Sequence, residues 1–276
     1  MLSESADRRP LPDFLVIGAM KCGTTTLYHD LCAQPGVFVG EKEPNLFLDG
    51  AVGDYEAFFA KATEDQVWGE VSPDYAKLPD RSAGVVSKIL GRYGARAPKI
   101  LYLVREPIER VASHHRFDVS QRGRMSDGMP EDIDDAVREC PQLLDYTRYR
   151  MQLAPWIDAF GRENVLVIRF AEYVVDRVEI VGRVCEFIGA SFDPDAVDPT
   201  RVWNRSDLRP IATPGWRWLL DRGLYRRLLR RFLSPATRER LRKRFLPKAK
   251  LEKQSMSVET LERIQAEVGD EMERLR

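Results

Sequence analysis

The chain has few of the residues from which metal sites and covalent frameworks are built. Its 276 residues include four cysteines and three histidines. Cys22, Cys32, Cys140 and Cys185 form no C-x-x-C pair and no metal-ligand spacing, and His29, His114 and His115 are too few to complete a zinc set with them. Four reduced thiols are the expectation, which suits a reducing compartment. No run approaches the roughly 20 apolar residues that span a bilayer. Residues 1–11 are polar and charged and lack the apolar core of a secretory signal. The expectation is a soluble, cytoplasmic protein with a flexible tail over residues 1–12 and one domain over 13–276, long enough for a substantial core.

Net charge is missing too. Lys and Arg total 43, and so do Asp and Glu, so overall charge selects no partner. The distribution is uneven, because residues 217–250 hold 13 basic side chains against only Asp221 and Glu239. Leu220, Leu224, Leu228 and Phe232 recur every four residues there, which reads as an amphipathic helix over 215–233 with a solvated basic face. Attraction of an anionic acceptor, or peripheral contact with a membrane surface helped by Trp216 and Trp218, stays open. No recognised nucleic-acid-binding module accompanies the stretch, so nucleic acid is not expected as a partner.

What is present is an alternation of apolar runs and helical patterns. FLVIG (14–18), KILYLV (99–104) and NVLVIRF (164–170) read as buried strands, with shorter ones at 37–39 and 67–71. Helices are expected at 24–33, 55–62, 81–93, 107–117, 143–160 with an interruption at Pro155, 175–188 and 258–275, and residues 120–139 read as loop with room for a short helix. Strands alternating with helices predict an α/β fold of three layers, with a central, mainly parallel sheet. Ligands in such sheets bind beyond the C-terminal ends of the strands.

Two segments in those positions suit anions. Gly18-Ala-Met-Lys21-Cys22-Gly23-Thr24-Thr25-Thr26 joins a strand to a helix N-terminus, where backbone N–H groups and the helix dipole favour negative charge. Lys21 adds a full charge and the threonines add hydroxyl donors. The loop departs from the Walker A pattern, since its lysine precedes the second glycine, and no Walker B aspartate ends KILYLV. Phosphate binding without an essential metal is the expectation. The second segment is Arg105-Glu-Pro-Ile-Glu-Arg110-Val-Ala-Ser113, directly after a strand. Arginine forks bind phosphate through paired, charge-assisted hydrogen bonds, and a hydroxyl two turns on supplies another donor. Two such sites imply a ligand with separated phosphate-like groups.

These residues resemble the PAPS-dependent sulfotransferases, especially the branch with the carbohydrate and heparan sulfate enzymes, where PAPS is 3'-phosphoadenosine 5'-phosphosulfate. KCGTTTL (21–27) is similar to the family's 5'-phosphosulfate loop and REPIERVAS (105–113) to its 3'-phosphate motif. EKEPNLF (41–47) is similar to the segment that carries its catalytic base, and GEVSPDY (69–75) to a landmark near the acceptor site. The resemblance implies a P-loop-like fold. It implies that Lys21, Cys22, Gly23, Thr24, Thr25 and Thr26 hold the 5'-phosphosulfate, with Lys21 also catalytic, and that Arg105 and Ser113 hold the 3'-phosphate. Glu43 would be the general base, with Glu70 in support, and Arg209 would belong to the loop over the nucleotide. The product would be the bisphosphate PAP, and the acceptor a small-molecule or glycan hydroxyl. One departure stands out: Asn45 occupies the position of a histidine in the heparan sulfate branch. The histidines are expected to be structural. A P-loop kinase or another nucleotide-binding protein is the alternative that the residues leave open, and magnesium dependence separates the two.

Overall fold

The computed structural model describes residues 11–48, 55–93, 97–120, 128–201 and 254–275. Five strands make one sheet: β1 (Phe14–Gly18), β2 (Val37–Val39), β3 (Val67–Val71), β4 (Lys99–Val104) and β5 (Val165–Arg169). Their order is β2-β3-β1-β4-β5, and every neighbouring pair is parallel. β1 lies in the middle and is buried along its whole length, which is why its sequence is a continuous apolar run rather than an alternating one. Successive elements after β1 go to the β2–β3 side and later ones to the β4–β5 side, so the crevice beside β1 is the topological switch point of the sheet.

Helices flank the sheet. They are α1 (Thr24–Ala33), α2 (Tyr55–Phe58), α3 (Pro79–Tyr93), α4 (Pro107–Ser120), α5 (Ile133–Glu139), α6 (Gln142–Asp145), α7 (Tyr149–Phe160), α8 (Phe170–Val175), α9 (Arg177–Ile188) and α10 (Val258–Val268). α3 packs on α7, and α1 on β2 and α9. A second, smaller core gathers Val111, Ala136, Val137, Leu143, Leu144, Ile264 and Val268, which places α10 against α4 and α6. Buried between the layers, Arg177 forks onto Asp30 with hydrogen bonds of 2.7 and 2.5 Å, and the Tyr173 hydroxyl donates to the same carboxylate.

The structure revises several expected boundaries. The expected helix over 143–160 is two helices, and the break lies at 146–148 rather than at Pro155. The Leu143 carbonyl accepts from the Thr147 hydroxyl and from Arg110 Nη2, so helix-type pairing stops there. Pro155 lies inside α7, where the carbonyl left without an N–H belongs to Met151, an exposed residue. The helix expected at 175–188 begins after Asp176, whose side chain accepts from the Glu179 N–H as the cap of α9. The helix expected at 258–275 stops at Val268, and that at 55–62 is shortened to Tyr55–Phe58. The amphipathic pattern at 215–233 and the basic stretch 217–250 lie outside the described residues. Among the described residues, no helix is long and apolar enough to cross a membrane.

Candidate active site

The C-terminal ends of three adjacent strands, β3, β1 and β4, carry three of the four segments singled out in the sequence, and the fourth, 41–47, follows β2. The β1–β4 register shifts between Val16 and Gly18, which sets Gly18 opposite Tyr102, and the chain leaving β1 stays tied to β4 because the Ala19 N–H donates to the Leu103 carbonyl at 2.7 Å. On the other side of β1, the Glu43 N–H donates to the Val71 carbonyl at the end of β3, at 2.8 Å. Segments far apart in sequence thus meet at one rim of the sheet.

In the first loop, Gly23 precedes α1 with φ 99°, a left-handed conformation that disfavours any side chain. A Cβ there would also lie 2.7 Å from the Phe170 ring. Gly23 offers no side-chain cap. The Thr26 and Leu27 N–H groups turn back to the Gly23 carbonyl, whereas Thr24 and Thr25 occupy first-turn positions with no intrahelical acceptor. Lys21 has φ 71°, and its Nζ lies 4.2 Å from the centre of the Phe117 ring on α4, one turn beyond Ser113. Cys22 is expected among the ligand-facing residues, but the structure turns it inward. Its thiol is buried beside the Tyr149 hydroxyl, its N–H donates to the Ala19 carbonyl, and burial raises its pKa to about 11.

The second anion segment starts where β4 ends. The Arg105 guanidinium lies 4.8 Å from the Phe170 ring centre and meets Glu109 Oε2 through Nε and Nη2, at 3.1 and 3.0 Å. Phe170 therefore stands between Gly23 of the first loop and Arg105 of the second. Ser113 is buried on α4, six residues after Pro107 and so about 9 Å along the helix.

Beside Ser113, Arg110 is wholly buried. It donates to Thr147 Oγ1 at 2.7 Å and to the Leu143 carbonyl at 2.5 Å, and its Nη1 has no partner. Its Nη2 also faces His114 Nδ1 at 3.3 Å, while His114 Nε2 lies 3.3 Å from Asp118. An arginine can only donate, so Nδ1 is the acceptor and Nε2 carries the proton. Burial holds the pKa of this neutral imidazole down at about 4. His115 donates from Nε2 to the Pro130 carbonyl, and His29 packs edge-on against Tyr28. His114 and His115 thus have hydrogen-bond partners within the fold.

The Glu43 segment is held along its length by β3 and the turn after it. The Asn45 N–H donates to Ser72 Oγ at 3.2 Å and the Phe47 N–H to the Tyr75 hydroxyl at 2.9 Å. From α3, Lys88 Nζ donates to the Phe47 and Leu48 carbonyls. The Glu43 side chain is half exposed and pairs with Lys42. Glu70 is fully buried below and accepts from the hydroxyls of Ser72, Tyr75 and Tyr55. The sequence showed Glu70, but not that it sits out of reach of solvent. Nothing in the sequence marked Tyr149 or Phe170 as neighbours of both loops. Arg209 lies outside the described residues.

A family model described as a sulfotransferase domain matches residues 86–208. That stretch includes β4, Arg105 and Ser113, and begins after the Lys21 loop and Glu43. The chain is 26% identical over 200 residues to human heparan sulfate glucosamine 3-O-sulfotransferase 6, covering 68% of this chain and 55% of that protein. It is 22% identical over 191 residues to human heparan sulfate glucosamine 3-O-sulfotransferase 3B1, covering 66% and 47%. The chain thus spans about half the length of these relatives. In fold it is similar to a sulfotransferase from Alicyclobacillus acidocaldarius, with a TM-score of 0.55 and 24% identity, covering 76% of this chain and 90% of that one.

Proposed function

We propose that the chain, which matches a sulfotransferase domain model over residues 86–208, transfers a sulfuryl group from PAPS to an acceptor hydroxyl. The observation that carries this reading is the arrangement at the rim: an uncapped helix N-terminus after β1, an arginine after the neighbouring β4, and a carboxylate tied to the end of β3. The two cationic segments fit a donor with separated anionic groups, since the Arg105 guanidinium has Glu109 as its only carboxylate partner among the described residues. When bound, the donor supplies a sulfuryl group already activated by its phosphate anhydride bond.

The chain's own residues divide the remaining work. The Thr24 and Thr25 N–H groups, with the Lys21 ammonium, stabilise the charge that grows on the departing 5'-phosphate as the acceptor oxygen bonds to sulfur and the sulfur–oxygen bond to phosphate breaks. Arg105 and Ser113 hold the 3'-phosphate and fix the position of the reacting end. Glu43 takes the proton that the acceptor hydroxyl loses. A glycan hydroxyl is the acceptor class to which the names of the relatives point, with Asn45 making a different contact from a histidine at that position. We place the reaction in the cytoplasm, in keeping with four unpaired cysteines.

Calorimetric titration with PAP, alongside ATP with magnesium, tests the donor. The expected result is tight, metal-independent binding of PAP that weakens by about tenfold or more in Arg105→Ala, the loss of charge-assisted hydrogen bonds. Preference for ATP with magnesium would overturn the reading in favour of a kinase.

A further inference from the structure

A carboxylate with no access to solvent lies beneath the proposed base. Glu70, in β3, is fully buried. Burial pushes its carboxyl up, and the hydroxyls of Ser72, Tyr55 and Tyr75 oppose that push. Ser72 Oγ donates to Glu70 Oε1 at 2.6 Å, and the Tyr75 hydroxyl donates to the same oxygen.

Each hydroxyl has a single proton. Once that proton is committed to Glu70, only lone pairs remain to face the neighbouring chain. Those lone pairs receive the Asn45 N–H at Ser72 and the Phe47 N–H at Tyr75. Two amides, two and four residues past Glu43, are therefore held through hydroxyls whose protons are committed to one buried group. The segment needs such a hold, since Glu43 and Asn45 both have positive φ, of 62° and 55°, which isolated L-residues disfavour. The Tyr55 hydroxyl is a natural contrast. It donates to the other carboxylate oxygen but receives no N–H from the segment among the described residues.

We infer that Glu70 is the positioning residue of the catalytic segment, orienting the Ser72 and Tyr75 hydroxyls so that they fix the backbone carrying Glu43 at the end of β3. This rests on the reading of Glu43 as the base, although the anchoring itself does not depend on it.

The contrast between two tyrosines gives the experiment. Tyr75→Phe and Tyr55→Phe each remove one hydroxyl from Glu70, but only the first removes a holder of the segment. Hydrogen exchange is measured on the peptide covering residues 41–48. PAP formation from PAPS is measured with water and with 2-naphthol as acceptors, and PAP affinity by calorimetry. Tyr75→Phe is expected to speed exchange in that peptide by about tenfold and to lower turnover by about tenfold, the effect of one lost hydrogen bond, with PAP affinity within about twofold. Tyr55→Phe is expected to lower the melting temperature while leaving exchange and turnover within about twofold. In a Glu43→Gln background, Tyr75→Phe is expected to lower turnover no further, because residues that act as a unit are not additive. Glu70→Gln keeps one acceptor oxygen and should fall between wild type and Glu70→Leu in exchange.

The inference is overturned if the two tyrosine variants behave alike, if residues 41–48 keep their protection in Tyr75→Phe, or if the effect of Tyr75→Phe on turnover persists undiminished in the Glu43→Gln background. Full turnover in Glu43→Gln would sink the base reading alone, and the exchange data would still decide the anchoring. Failure of the wild type to bind PAP would sink the donor reading and likewise leave the exchange comparison decisive.

Discussion

The Tyr149 hydroxyl donates to the Arg105 carbonyl at 2.6 Å and accepts from the Arg105 N–H at 3.3 Å, so one side chain from α7 brackets the backbone of the residue proposed to grip the 3'-phosphate. The same hydroxyl lies 3.7 Å from the Cys22 sulfur in the first loop. Tyr149→Phe is expected to cost about 1 kcal/mol of stability, and to weaken PAP binding severalfold by freeing Arg105 to wander. Urea unfolding and calorimetry measure the two effects. Lost stability with unchanged affinity would confine Tyr149 to the fold.

Gly23 is expected to resist substitution for two reasons that reinforce each other. Alanine at φ 99° costs on the order of 1–2 kcal/mol, and its Cβ would press on the Phe170 ring that also supports Arg105. Gly23→Ala should therefore both lower the melting temperature and weaken PAP binding. A variant that melts early but binds normally would show that the ring yields without disturbing the loop.

Glu43→Gln keeps the shape of the side chain and removes its basicity. Turnover is expected to fall by about 10²–10⁴-fold, the usual span of general-base assistance. PAP affinity should hold, since the anion-binding groups come from β1 and β4. Steady-state rates with PAPS, set beside a PAP titration of the same variant, make the comparison.

His114 predicts a pH dependence of stability. Its pKa is near 4 in the folded protein and about 6.5 when unfolded, so between these values the unfolded chain binds the extra proton. Stability should rise as pH goes from about 4 to 6.5. On acidification it should be lost across the same window, by an amount on the order of 3 kcal/mol. His114→Gln can still accept from Arg110 and donate to Asp118, and should flatten the slope. Urea unfolding of both proteins across that range is the check, and equal slopes would assign the titration to another group.

Asp30 and Arg177 form a buried pair, and removing one charge strands the other. Asp30→Asn is expected to cost about 3 kcal/mol in chemical denaturation. PAP affinity should stay near the wild-type value, because the pair lies at the far end of α1 from the loop. A large loss of affinity would mean that the packing of α1 on α8 and α9 also shapes the anion site.

The apolar runs at 14–18 and 99–104 could be read directly as β1 and β4, because a strand buried on both faces has no polar positions to confuse the pattern. The anion segments were legible for the same reason, since each follows such a strand. Helix breaks were less so. Pro155 signals a break that does not occur, whereas the break at 146–148 depends on Thr147 and on Arg110 Nη2 reaching the Leu143 carbonyl from 33 residues away. Glu70 stood in a recognisable motif, yet a carboxylate at the end of a strand is usually solvated. Only the packing of Tyr55 and Tyr75 around it makes it a buried anchor.

The sequence by itself determined the element types and the residues available to grip anions, because strand period, loop glycine and cationic side chains are local properties. The tertiary structure decided which of them meet. Strand order β2-β3-β1-β4-β5 brings Lys21, Glu43 and Arg105 to one rim, and it turns the Cys22 thiol into the core. Tyr149 and Phe170 become common supports of both loops by the same packing. Those placements follow from how the whole chain buries its apolar surface and satisfies its buried polar groups, a global condition that no short stretch encodes alone.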